Sequence, residues 1–177
     1  EYLDNGSLSS LLHDGALPVE EALRIVRSIC QALVHAHGRG VLHCDLKPAN
    51  VLLDSDFEPR LCDFGQSRLA DEHSHSLGTL FYMAPEQADL KAVPDARWDV
   101  YALGALMYNM LTGSPPYRAR TPMEKLMAHR ELPIPALREA RDDVPEALDR
   151  IYHRAVAKRP EDRYGSMKEL AADLEVC

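Results

Sequence analysis

A chain of 177 residues, 46% hydrophobic and 27% charged, holds enough apolar material for one folded unit and too much for a disordered one. Its formal net charge of −8 argues against a nucleic-acid surface, which needs clustered Lys and Arg. The opening EYLDNGSLSS lacks the basic start and apolar run of a secretory leader, and the longest apolar stretch, 100–107, is far short of a membrane span. No membrane segment and no nucleic-acid partner are expected. The four cysteines, Cys30, Cys44, Cys62 and Cys177, show no metal-ligand spacing, so reduced thiols in a cytoplasmic setting are the expectation. His73 with His75 is a weak metal signal.

In chain order, Val19–His37 is the clearest helix. Pro18 precedes it, Glu20 and Glu21 fill its first turn, and Gly38 ends it. Ala22, Ile25, Ile29, Leu33 and Ala36 recur at three-to-four spacing, which buries one face. Short apolar runs at 41–42, 51–53 and 60–62, separated by turn formers, read as short strands that hold loops. The polar stretch 66–78 reads as an exposed loop. Residues 98–111 are apolar almost all round, which predicts a central buried helix stopped by 113–116. Further helices are expected over 122–130, 145–157 and 166–175, with proline-containing loops between them. The order is helices, a patch of short strands, then helices: one mainly α unit.

The chemistry concentrates in HCDLKPAN, with Asp45, Lys47 and Asn50, and in CDFG, with Asp63. Carboxylate and amide oxygens suit a hard cation such as Mg²⁺, a nearby lysine neutralises phosphate charge, and a spare carboxylate can orient an attacking hydroxyl. Taken alone, DLKPAN could also be a polar turn between two strands.

GTLFYMAPEQ (78–87), DVYALG (99–104) and KRPEDRY (158–164) follow in the same order. Together these five motifs resemble the eukaryotic-type Ser/Thr protein kinase family, in its bacterial form, across nearly the whole chain. The resemblance implies a kinase-like C-terminal lobe over 1–177, from the hinge onward: a helical bundle with a few short β-strands carrying the catalytic and metal-binding loops. It implies transfer of the ATP γ-phosphate to Ser or Thr of a protein substrate, with ATP and Mg²⁺. Position by position, Asp45 resembles the aspartate that accepts or orients the hydroxyl proton, and Lys47 the lysine on the transferring phosphate. Asn50 and Asp63 resemble the two Mg²⁺ ligands, and Thr79 the threonine that bonds near the catalytic aspartate and lysine. The backbone of Glu1 and Leu3 would meet adenine, with Leu52 under the ring; Ser7 stands where many relatives carry an acidic ribose partner. By the same resemblance, His43 and Phe64 pack together in a buried spine, and Glu86 pairs with Arg163. Asp99 accepts backbone N–H groups of the catalytic loop, while Leu106 and Met110 are core beneath the site.

Two departures stand out. No Gly-rich loop, strand lysine or helix glutamate of the family's small lobe occurs in the chain, so that lobe is expected to lie outside it. And Cys44 stands where most relatives have an arginine that pairs with a phosphorylated activation loop. Cys44 reads as a packing residue, with a redox role beside Cys62 as the rival. The competing functions are a catalytically dead kinase-like binding or scaffold module, and small-molecule phosphotransfer on the same scaffold. Retention of Asp45, Asn50 and Asp63 favours the enzyme.

Overall fold

The computed structural model describes residues 5–64, 78–89 and 91–177, the side chain of Thr79 excepted. A short α1 (Leu8–Leu11) leads to the long α2 (Val19–His37) and then to an antiparallel hairpin of β1 (Val51–Leu53) and β2 (Pro59–Leu61). Helices α3 (Ala96–Thr112), α4 (Pro122–Glu131), α5 (Leu137–Ala140), α6 (Glu146–Ala155) and α7 (Met167–Leu174) complete the chain. The mainly α expectation holds, and α2 has the bounds read from the sequence. The run 41–42 is not a strand. It leads into a loop whose next two N–H groups, at His43 and Cys44, bond to a side chain instead of a ladder.

Helix α2 buries Ala22, Ile25, Val26, Ile29, Cys30 and Leu33 against α3 and α7. Arg27 locks this contact by donating to the carbonyl of Leu174 at 2.9 and 3.2 Å. In α3 every residue from Trp98 to Leu111 is buried, which explains its lack of a polar face. Its start is capped by Asp95, whose carboxylate accepts the Arg97 N–H at 2.8 Å. Its end is set by Gly113, in the left-handed region at φ 74°, where a Cβ would lie 3.1 Å from the Ala16 nitrogen. Helix α4 opens with a reciprocal cap between Thr121 and Glu124 over Pro122.

The helix expected to 157 stops at Ala155: the Ala157 N–H bonds to the Arg154 carbonyl three residues back, and the carbonyls of Ala157 and Lys158 beyond it accept from the Arg163 guanidinium. Helix α6 can lie close to α3 only because residue 104 has no side chain: a Cβ there would sit 2.6 Å from Val156 Cγ1 and 3.0 Å from Ala155 Cβ. Val156 is β-branched and stiff, so it cannot swing clear. Gly104→Ala is therefore expected to lower stability by about 1–3 kcal/mol through overpacking, despite a gain of about 1 kcal/mol in helix propensity. Urea unfolding checks this, and an unchanged or raised midpoint would show that α6 can back away.

Candidate active site

The site begins with one buried carboxylate. Asp99, in the first turn of α3, is fully buried, and its Oδ1 accepts the Cys44 N–H at 2.7 Å while Oδ2 accepts the His43 N–H at 2.9 Å. His37, at the end of α2, adds its Nε2 to Oδ2 at 2.7 Å. The expected tie between Asp99 and the loop is present; the contribution of His37 was not anticipated. Cys44 is held with φ 61° and Asp63 with φ 59°, both in the left-handed region that a non-glycine residue enters at a cost of about 1–2 kcal/mol. No sequence signal marked Cys44, whereas Asp63 is of a residue type that enters this region more readily.

From this anchor the loop presents Asp45, then turns through Pro48–Asn50 into β1. Asp45 Oδ2 pairs with Lys47 Nζ at 2.9 Å and accepts from Asn50 Nδ2 at 3.1 Å. Asn50 Nδ2 also donates to the Asp45 carbonyl at 2.9 Å. Asp45 Oδ1 is buried and has no hydrogen-bond partner among the described residues. The hairpin then returns the chain: the Cys62 N–H donates to the Asn50 carbonyl at 3.0 Å, so Asp63 stands two residues beyond the paired end of β2. The Asn50 amide nitrogen is committed to Asp45, which leaves its amide oxygen as the donor atom for a cation. Asp63 is exposed and adds carboxylate oxygens. This all-oxygen pair fits a hard cation such as Mg²⁺.

His43 is fully buried and its ring packs on Phe64 with centroids 4.7 Å apart, as expected. Burial holds its pKa below the usual imidazole value. Neutral, it donates from Nε2 to the Cys62 carbonyl at 3.0 Å and accepts the Asp45 N–H on Nδ1 at 3.3 Å. Phe64 departs from the expectation of a buried spine: it packs on His43 yet is 38% exposed. The Cys62 thiol is pushed up by burial and then by the Asp63 charge, which opposes a reactive thiolate and with it the redox reading.

Leu52 lies on the face of β1 opposite the buried Val51 and Leu53. Ser7 bridges to it, and the Leu53 N–H donates to the Gly6 carbonyl at 2.9 Å, so residues 6–7 run alongside β1. Leu106 and Met110 are fully buried in α3. Thr79 belongs to the 3-10 turn Thr79–Phe81. Glu1 and Leu3 lie outside the described residues, as do Gly65, the His73/His75 pair and the serines at 74 and 76. No helix among the described residues is long and apolar enough to cross a membrane.

The order of these loops on this helical frame has a counterpart in known proteins. The protein kinase domain family matches residues 1–174. The chain belongs to this family. Serine/threonine-protein kinase PknB of Mycobacterium leprae is 40% identical over 182 residues, which covers 98% of the chain and 29% of that protein. The PknB proteins of Mycolicibacterium smegmatis and Mycobacterium tuberculosis are each 38% identical, again over 98% of the chain and 29% of their own length. The chain thus spans 29% of the length of these relatives.

Within this protein kinase domain, Glu86 and Arg163 form the expected pair, bidentate at 2.7 and 2.8 Å. Arg163 also donates to the carbonyls of Ala157, Lys158 and Arg97 at 2.7, 3.1 and 3.2 Å, which occupies all five guanidinium donors. Its side chain is fully buried. Removing it strands a carboxylate and three carbonyls, so Arg163→Ala is expected to cost about 3–5 kcal/mol. Arg163→Lys keeps the charge but offers three donors in place of a planar fork, and is expected to recover only a minor part. Chemical denaturation of the two variants separates charge from geometry: wild-type stability in Arg163→Lys would show that charge alone suffices.

Proposed function

We propose that the protein carrying this chain transfers the γ-phosphate of ATP to Ser or Thr hydroxyls of protein substrates, with Asp45 orienting the hydroxyl and taking its proton. The observation that carries this reading is the inequality of the two Asp45 oxygens. Oδ2 is engaged by Lys47 and Asn50, while Oδ1 is buried without a donor. An unmet buried acceptor is costly, and a substrate hydroxyl is a donor that satisfies it while aiming its proton at the base. Lys47 brings positive charge to the same point, where the oxygens of a transferring phosphoryl group would gather. Asn50 and Asp63 would hold Mg²⁺, which neutralises phosphate charge when bound. Thr79 is assigned beside Asp45 and Lys47 on the family resemblance. Leu52, on the face of β1 away from the core, would lie under the adenine, with Glu1 and Leu3 at its edge.

The same reading makes this chain the larger lobe of a catalytic domain whose Gly-rich loop and strand lysine are supplied by residues outside it. It also places that domain in the cytoplasm, where ATP is at hand and the four free cysteines stay reduced.

The decisive measurement is phosphate transfer from labelled ATP to a generic basic protein by the full-length protein. Asp45→Asn keeps the size of the side chain and removes the base, so kcat is expected to fall about 10²- to 10⁴-fold. Asp63→Asn is expected to abolish most activity and to raise the Mg²⁺ concentration needed for what remains. Wild-type rates in both variants would overturn these roles and leave a kinase-like binding module.

A second expectation concerns Cys44. Cys44 is 7% exposed and its side chain carries no charge, so it cannot serve as the cation for a phosphate on Ser74 or Ser76. Phosphatase treatment of the full-length protein is therefore expected to leave its rate within about twofold, since no loop-ordering ion pair is lost. A large loss, reproduced by Ser74→Ala with Ser76→Ala, would mean that another cation has taken over the role.

A further inference from the structure

One side chain joins the loop that carries Asp45 to the segment that carries Glu86. Gln87, in the 3-10 turn Pro85–Ala88, donates from Nε2 to the carbonyl of Cys44 at 2.7 Å. The other end of its amide is engaged as well: Oε1 accepts the Ala84 N–H at 3.4 Å. Its own N–H donates to the Ala84 carbonyl at 3.0 Å, which fixes the residue in its turn. A carbonyl on one side and an N–H on the other leave a single satisfactory orientation of the amide, with the donor toward Cys44.

What Gln87 holds is the peptide plane between Cys44 and Asp45. The oxygen of that plane accepts from Gln87, and its N–H donates to His43 Nδ1 at 3.3 Å. One residue earlier, the Cys44 N–H is fixed by Asp99 at 2.7 Å. Cys44 itself is left-handed at φ 61°, a conformation that a non-glycine residue keeps only while its surroundings enforce it. Among the described residues, Gln87 connects the two segments through the main chain of Cys44.

We propose that Gln87 is a positioning residue: by pinning the Cys44–Asp45 peptide plane it sets the direction of the Asp45 carboxylate, and it makes the readiness of Asp45 depend on the seating of residues 84–87. This inference rests on the phosphotransfer reading above for its kinetic consequence and on the geometry alone for its structural one. Loss of the tie leaves Asp99 to hold the loop but frees the carbonyl to rotate, which misaims Asp45 without touching the nucleotide contacts.

The test uses the full-length protein with Gln87→Leu and Gln87→Glu, read by steady-state kinetics between pH 5 and 8.5 and by hydrogen exchange of residues 43–47. Gln87→Leu is expected to lower kcat per folded molecule about ten- to a hundredfold, with the KM for ATP within about twofold. Gln87→Glu presents a carboxylate to a carbonyl at neutral pH and cannot donate; protonated, it can. Its kcat relative to wild type is therefore expected to rise as pH falls, while that of Gln87→Leu stays flat. A purely structural role would lower the folded fraction in both variants and give no such profile. If Gln87→Leu does not fold, the pH profile of Gln87→Glu carries the same test. Faster exchange of the loop amides in the variants, with an inactive wild type, would sink the phosphotransfer reading and keep the tether. Wild-type exchange, or wild-type kcat per folded molecule in Gln87→Leu together with a flat Gln87→Glu profile, would overturn the proposal.

Discussion

Everything at the site hangs from the carboxylate of Asp99. An ionised group inside a protein costs several kcal/mol unless its lone pairs are met. Here three donors meet them: two consecutive loop N–H groups and an imidazole. Hydrogen bonds to a charged acceptor contribute about 1.5–3 kcal/mol each, enough to offset both the burial and the left-handed turn at Cys44. The position of Asp99 matters as much as its charge. It lies in the first turn of α3, where the helix dipole favours an anion. The most apolar helix of the fold thus delivers one charge, at its end, to the loop that needs it.

Arg163 plays the complementary part on the other side of α3. Its guanidinium holds the segment that follows α6, receives Glu86, and lies over the Tyr101 ring at 4.8 Å. Two buried charges of opposite sign therefore fix two irregular segments against one rigid helix. Loops cannot be placed by apolar packing alone, because their backbone groups need partners. The helical frame supplies those partners from within.

Much of this was legible in the residues. The period of 19–37 gave α2, and the unbroken apolar run gave α3, because both signals come from burial, which depends on side-chain type. The pairing of Glu86 with Arg163 and of Asp99 with the loop came from the family pattern. What was not legible depends on main-chain geometry: the left-handed Cys44 is none of the Gly, Asn or Asp that mark such positions. The strand expected at 41–42 failed for a related reason, since two apolar residues say nothing about whether the following N–H groups will find a ladder or a carboxylate. Gln87 stood in plain view beside Glu86, but a glutamine has no single preferred role, and only its distance to Cys44 gives it one. The short α1 and α5 carry too few residues for a period to show.

The lock between α2 and α7 bears on how the chain is made. Arg27 and Leu174 are 147 residues apart in sequence, yet the apolar face of α2 is covered in part by α7. During synthesis, at about 5–20 residues per second, α2 emerges many seconds before its partner exists. Through that interval α3 can cover part of the apolar face of α2, but the part that α7 will cover has no final partner and stays open to the ribosome surface and to chaperones. Folding of this helical frame can begin piecewise, but its last surface closes only when α7 has been made.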